Sequence, residues 1–381
     1  MKFKLKGASL AVIVPALALA APAFAQVRSP TLSDSQEAGS VIIFPKFLQA
    51  PVTLPEGGTA PGTELEIGVV CPKGVICSEH QAVKIRFHWV CGTTEANAGT
   101  SFICQETDFD VTATVFEKIV LVPDGQAQNF YTSGLPTKTV PAANCPQGAG
   151  YLIGWVITPT NDRPIKFDGL FGDAVVRTSG TSAAGYDAIP VQADPALANN
   201  AAITTNGNGG LIFDGAAGHY QALAGQVYGD IRYTGANLPG ATTAAGAITL
   251  LTVDVHSNRP NNPVFVDLDF FGGNPSAIGN ENQLSTSTEF ICWEEIPITS
   301  INGNLTTTEM GRKGVFVSSQ ATKVPLFGIS DDSGNVTLLG LSEVVENPGT
   351  ANARVSFSGL FNSSVPVPTH FTPTPSPNFL P

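Results

Sequence analysis

The stretch Val83-Lys84-Ile85-Arg86-Phe87-His88-Trp89-Val90-Cys91 decides the fold class. Val83, Ile85, Phe87, Trp89 and Cys91 are apolar and alternate with Lys84, Arg86 and His88, the period of two expected of a strand with one face in a core and the other in water. Phe109, Val111, Ala113 and Val115 repeat the pattern against Asp108, Asp110, Thr112 and Thr114. Further along, Leu251, Val253 and Val255 alternate with Thr252, Asp254 and His256, and Val264, Val266, Leu268 and Phe270 follow the run Asn258-Arg259-Pro260-Asn261-Asn262-Pro263. That Pro/Asn cluster reads as a turn, so the two runs are expected to form a hairpin or a sheet corner. Strands are also expected at Val41 to Phe44, Leu65 to Val70, Tyr151 to Ile157, Ala174 to Arg177, Gln226 to Tyr233, Glu289 to Pro297 and Val315 to Val317. No amphipathic repeat of helical period extends beyond two turns.

Composition agrees with the strand pattern. The chain has 39 Gly, 29 Pro and only 13% charged residues, yet 43% are hydrophobic, with 22 Phe and three Trp. That is too apolar for a disordered chain and resembles extracellular β-proteins more than helical or doubly wound enzymes. The expected fold is all-β, built of disulfide-stapled antiparallel β-sandwich domains. At ~150 residues per domain the length allows two, although one large sandwich fits as well. The expected units are residues 26–178 and 219–363. Between them, 179–218 is rich in Ala, Gly, Asn and Thr and reads as a linker or surface excursion. Residues 364–381 carry six prolines and read as an extended, solvated tail.

The first 25 residues set the compartment. Lys2, Lys4 and Lys6 precede an apolar run from Ala8 to Ala21 that closes in Ala23-Phe24-Ala25. This order of charged region, short apolar region and small-residue site is that of a secretory signal peptide, with cleavage expected before Gln26. The mature chain then stands at −15, from 16 Lys and Arg against 31 Asp and Glu. Such a charge disfavours nucleic acid and anionic membrane surfaces as partners. No membrane span is expected after cleavage, and no cysteine follows Ala25 to carry a lipid.

All six cysteines lie in the mature region, which in an exported chain implies up to three disulfides. Cys91 ends one strand pattern and Cys104 lies just before the next, so a bridge across that loop is the first expectation. Cys71 with Cys77 would close a small loop, leaving Cys145 with Cys292. Zinc is disfavoured, because neither C-x-x-C nor H-x-x-x-H spacing occurs.

The segments Glu37-Ala38-Gly39-Ser40-Val41-Ile42-Ile43-Phe44-Pro45-Lys46, Thr107-Asp108-Phe109-Asp110, Gly150-Tyr151-Leu152-Ile153-Gly154-Trp155, Asp168-Gly169-Leu170-Phe171-Gly172-Asp173-Ala174 and Glu289-Phe290-Ile291-Cys292-Trp293-Glu294 are spread along the chain. Together they resemble a group of uncharacterised exported bacterial β-rich proteins. The resemblance implies a fold class and a location, and carries no functional residue.

Chemistry-bearing patterns are sparse. Asp108 with Asp110, and Asp267 with Asp269, place two carboxylates on one strand face, where they could ligate calcium or act as an acid/base pair. A solvated acidic face is the simpler reading. Glu294 and Glu295 are adjacent and point to opposite sides of a strand. Ser330-Asp331-Asp332-Ser333-Gly334-Asn335 lacks EF-hand spacing and reads as a hairpin turn. There is no G-x-S-x-G, the histidines His80, His88, His219, His256 and His370 are scattered, and Gly207, Gly209 and Gly210 do not form a dinucleotide fingerprint. No catalytic residue and no cofactor beyond possible calcium is expected. The reading is an exported non-catalytic surface, matrix or binding protein of the bacterial envelope or extracellular space, whose partners are an envelope component, an extracellular polymer or itself. A secreted hydrolase acting on a polymer or glycan is the alternative, and an outer-membrane β-barrel the third.

Overall fold

The computed structural model describes residues 36–92, 104–124, 128–132, 138–206, 209–232, 244–253, 264–271, 283–290, 292–297, 323–331, 337–346, 354–362, 366–367 and 369–371. All regular structure among them is strand. The first half contains β1 (Val41–Leu48), β2 (Val52–Thr53), β3 (Thr59–Ala60), β4 (Thr63–Val69), β5 (Ala82–Cys91), β6 (Gln105–Thr114), β7 (Lys118–Leu121), β8 (Gln128–Thr132), β9 (Lys138–Val140), β10 (Ala149–Ile157), β11 (Leu170–Ser179), β12 (Ser182–Asp187) and β13 (Ile189–Val191). The second contains β14 (Leu211–Phe213), β15 (Leu223–Ala224), β16 (Gln226–Arg232), β17 (Ala244–Leu251), β18 (Val264–Phe271), β19 (Gln283–Phe290), β20 (Trp293–Pro297), β21 (Lys323–Asp331), β22 (Leu339–Glu346), β23 (Arg354–Gly359), β24 (Phe361–Asn362), β25 (Pro366–Val367) and β26 (Thr369–Phe371).

Two antiparallel sheets make the first sandwich, in orders β13-β1-β10-β5-β6 and β12-β11-β4-β7-β8-β9. The alternation read from Val83 supplies the inward face. Ile85, Phe87 and Trp89 pack with Phe109, Val111, Leu152 and Val156 of their own sheet and with Leu65, Ile67, Ile119, Ala174 and Val176 of the other. Phe87 lies over Gly154 so closely that a Cβ there would sit 2.3 Å from its ring. Truncating one such aromatic costs about 3–5 kcal/mol. Among the described residues, the space between the two sheets is filled by apolar side chains.

The other face of the first sheet is buried as well. All nine residues of β10 and seven of the eight in β1 are buried. Val41, Ile43, Tyr151, Ile153 and Trp155 project to this side and meet Ile203, Leu211, Phe213, Tyr220 and Leu223, together with Leu251, Val253, Trp293 and Leu339. The stretch 179–218 therefore does more than link. It supplies the end of β11, then β12 and β13 in separate sheets, and its remainder forms part of the cover over β1 and β10. The tail is extended but not simply solvated, since β25 pairs with β15 and β26 with β14.

Two further sheets, β19-β18-β21-β16-β24 and β20-β17-β22-β23, complete the fold. The strands on either side of the Pro/Asn cluster, β17 and β18, lie in different sheets and do not pair as a hairpin. The strand expected across Glu289 to Pro297 is broken at Cys292, whose φ of 61° lets the chain leave β19 in one sheet and enter β20 in the other. The strand expected at Val315 to Val317 lies outside the described residues.

Three disulfides form, Cys71–Cys77, Cys91–Cys145 and Cys104–Cys292, with Cα separations of 5.8, 5.1 and 6.3 Å. The Cys91–Cys104 and Cys145–Cys292 pairings are corrected, and strand parity explains why. Gln105 is the register partner of Cys91, so Cys104 has the opposite parity. Cys91 accordingly joins the inner core with Cys145, and Cys104 joins the outer layer with Cys292. Peptide mapping without reduction is expected to recover these three links. The paired substitutions Cys91→Ser and Cys145→Ser should cost about 2–4 kcal/mol, and the Cys71/Cys77 pair less, because its bridge spans 6 residues instead of 54. A Cys91–Cys104 peptide would contradict the fold.

Candidate functional site

The polar alternate residues of β5 and β6 form a half-buried ionic cluster instead of a wet face. Cross-strand pairing sets Arg86 opposite Asp110 and His88 opposite Asp108. Arg86 donates to both oxygens of Asp110, from Nε at 2.9 Å and from Nη2 at 3.1 Å. Lys84 Nζ lies 2.9 Å from Asp110 and 2.6 Å from Asp162, and Asp162 also meets Arg86 at 3.2 Å. Beside this square, His88 stacks on Trp155 with centroids 4.8 Å apart, and its Nδ1 lies 3.3 Å from Glu106. Burial by itself would raise the Asp110 carboxyl, but hydrogen bonds and charge from Arg86 and Lys84 outweigh it and hold the group below the ordinary carboxylate value.

Of the two aspartate pairs, Asp108 with Asp110 is the one whose side chains are described. Asp110 has both oxygens bonded to cations, and Asp108, two residues along β6, is the register partner of His88. Among the described residues no group of three His, Cys, Asp or Glu side chains is placed to hold a metal. Asp267 and Asp269 lie on β18 opposite Ser287 and Ser285 of β19, a backbone placement on one face; their side chains lie outside the described set, as do those of Asp254 and His256.

Next to the ionic square a cleft of about 170 Å³ opens between Gln81, Lys84, Val156, Thr158, Phe167 and Asn200. It is smaller than the ~300–1,000 Å³ usual for small-molecule sites. No carboxylate, histidine, tryptophan or tyrosine lines it. Two further histidines are described with their side chains. His80 is exposed on a turn, and His219 Nδ1 sits 2.8 Å from Asp214, whose same oxygen caps the backbone N–H of Ala216. Of the Ser330–Asn335 run, Ser330 and Asp331 end β21 and the rest lies outside the described residues.

On the outward side of β4, β11 and β12 in the six-stranded sheet, alternate residues are half-buried or exposed. Asp187, Asp173 and Glu66 stand in one cross-strand row on β12, β11 and β4. Burial, then the Glu66 charge, and finally that of Asp187 raise the Asp173 carboxyl, with Lys118 opposing. Phe171 lies over Gly68 in the neighbouring row and is 48% exposed; Phe116, at the turn before β7, is 69% exposed.

The sequence reading missed Lys46. Its stretch ends in Pro45-Lys46 at a bulge between Phe44 and Phe47, where Lys46 is 1% exposed. Its ammonium lies 2.6 Å from Glu295 on β20 and 2.5 Å from Glu343 on β22. A lysine closing an apolar strand is a readable oddity; its partners, 249 and 297 residues away, are not. Comparison with protein-family models, characterised proteins and solved structures finds no match to this chain.

Two outcomes follow from these charges. Asp110→Asn should destabilise the fold by about 1–2 kcal/mol at neutral pH, between the surface and buried limits for ion pairs. Because the folded carboxyl is lowered, that stabilisation is present above the ordinary carboxylate pKa and is lost as pH falls through the lowered value, so wild type and variant should converge in acid. Asp173→Asn should act oppositely. Its folded carboxyl is raised, so ionisation is disfavoured in the fold; the variant should melt slightly higher at neutral pH, with the gain vanishing below the ordinary carboxylate pKa and shrinking with salt. Thermal melts of both variants across pH check the two signs.

Proposed function

We propose that this chain is an exported, non-catalytic binding or assembly protein of the bacterial envelope or extracellular space, and that it belongs with the uncharacterised exported β-rich proteins its motifs resemble. One observation carries the reading: the ionisable groups of its best-formed polar cluster neutralise one another. Asp110, Asp162, Arg86 and Lys84 are mutually paired, while the adjoining cleft is lined by no carboxylate, histidine or cysteine. A hydrolytic centre needs the reverse, a carboxylate or histidine aimed at open space. Three disulfides suit an oxidising compartment outside the cytoplasm.

The surface available for binding is the outward face of the six-stranded sheet, with exposed Phe171 and Phe116 beside an acidic row. Aromatic side chains provide contact area at low entropic cost, and the carboxylates steer toward cationic or hydroxyl-rich partners. The purified mature protein is expected to associate with itself, with isolated cell-envelope material or with extracellular polymer in sedimentation assays. Phe171→Ser with Phe116→Ser should weaken that association. Glycan, ester and peptide substrates should turn over at background, unchanged by Ala at Asp108, Asp110, Asp267 and Asp269. A hydrolytic activity abolished by one of those substitutions would overturn the proposal in favour of the hydrolase.

A further inference from the structure

A lysine that is 1% exposed, with two carboxylates against its one ammonium, is an expensive way to hold two sheets together. Removing both charges of an ion pair from water costs several kcal/mol per ion, which mutual attraction repays only in part. The surroundings of Lys46 are also unusually fixed. Its backbone N–H donates to the Tyr186 hydroxyl at 3.1 Å, and that hydroxyl donates back to the Lys46 carbonyl. Trp293 Nε1 donates to the Pro45 carbonyl at 2.8 Å. The Phe357 ring lies 5.7 Å from the ammonium and meets Tyr186 edge-on. The two carboxylates are not equivalent, since the Glu343 side chain is 7% exposed and that of Glu295 36%.

We propose that Lys46 and Glu343 condense into an intramolecular amide, with Glu295 as the proton relay. Glu295 takes a proton from the Lys46 ammonium, leaving a neutral amine with its lone pair beside the Glu343 carboxyl carbon. The Nζ–Cδ bond forms as Glu295 returns the proton to the departing Glu343 oxygen. The Cδ–O bond breaks, a second Nζ proton goes to that oxygen, and one water leaves past the more exposed Glu295. An ammonium and a carboxylate become an amide and water, so the step needs no oxidant, activating group or metal.

Three features of the site favour it. The reacting groups are held in contact, which replaces the improbable encounter of two side chains by a unimolecular step. Aromatic walls exclude bulk water, which opposes the reverse hydrolysis. The product removes two charges from the interior and leaves Glu295, the carboxylate with access to solvent, as the remaining ion. The bond would tie β1, the first strand of the fold, to β22 across 297 residues. Unlike the Cys104–Cys292 bridge between the same halves, it would survive reduction.

Mass spectrometry of the full exported chain after reduction and alkylation tests this directly. The expected mass is one water below that of the sequence counted from its determined N-terminus, and digestion should yield a branched peptide joining the Lys46 and Glu343 segments. On a reducing denaturing gel the wild type should run ahead of Lys46→Arg, because its cross-link survives. Glu295→Gln retains both partners but cannot accept the proton, and should accumulate at the full mass. A wild-type chain at full mass, with the Lys46 amine open to acylation after denaturation, overturns the proposal whether or not any variant folds. A cross-link that forms undiminished in Glu295→Gln overturns the relay.

Discussion

The fold depends on two neighbouring strands that have no face in water. Strand β10 is buried at every position, and β1 at all but its last. One side of their sheet meets the other half of a sandwich, and the opposite side meets a layer drawn from residues 203–223 and the second half of the chain. A sheet in this position reads as a nearly continuous apolar run, as Val41 to Phe44 and Tyr151 to Ile157 do. Its cover cannot be local. Tyr151 donates to the Thr252 carbonyl at 3.2 Å, a Cβ at Gly92 would strike Trp293, and β26 pairs with β14 near the end of the described chain. Contacts so distant in sequence make for slow folding with a large loop-closure cost, against which disulfides spanning 54 and 188 residues are well placed.

Burial on both faces dictates what happens to the charges on those strands. Lys46 lies on β1, Lys84 and Arg86 lie on β5, and each is held by carboxylates of other strands or turns. An unpaired charge there would cost far more than the modest worth of an exposed pair. Acid in excess of these cations goes elsewhere. The Asp187–Asp173–Glu66 row stands on the sheet that does face outward, where water screens the repulsion. Hence the same acidic composition produces a neutralised interior and a repelling surface.

This division explains which features were legible in the sequence. Period-two alternation identified β5 and β6 because inner-face apolarity is a local pattern. The same alternation was misleading about Lys84, Arg86 and His88, since a polar residue on the second face looks alike whether water or Asp162 lies beyond it. The cysteine pairing was within reach of parity. Cys91 belongs with Phe87 and Trp89, and Cys104, an even step from Asp108 and Asp110, belongs to the opposite face. Proximity along the chain was the wrong guide where parity was the right one. The stretch 179–218 lacks clean alternation because β12 and β13 are short and the segment beyond them lies flat over an apolar surface, a role that leaves no periodicity. Pro366 and Pro368 made the tail look solvated, yet proline is tolerated at the edge of the short pairing that β25 makes.

The candidate site was least legible, for a physical reason. Alternation reports which face of a strand is apolar, and says nothing about what a distant strand brings to it. Lys46 acquires its carboxylate partners only when β20 and β22 deliver Glu295 and Glu343 against β1, and the pairing of Asp110 is visible only when Lys84 and Arg86 are seen to share its face. Both cases show the interior resolving charge by pairing within the chain. The outward sheet has no such resolution available, because its acidic row contains more carboxylates than Lys118 and Arg177 can balance. Like charges directly opposite one another on neighbouring strands repel, so this row is stabilised by whatever lowers its charge density.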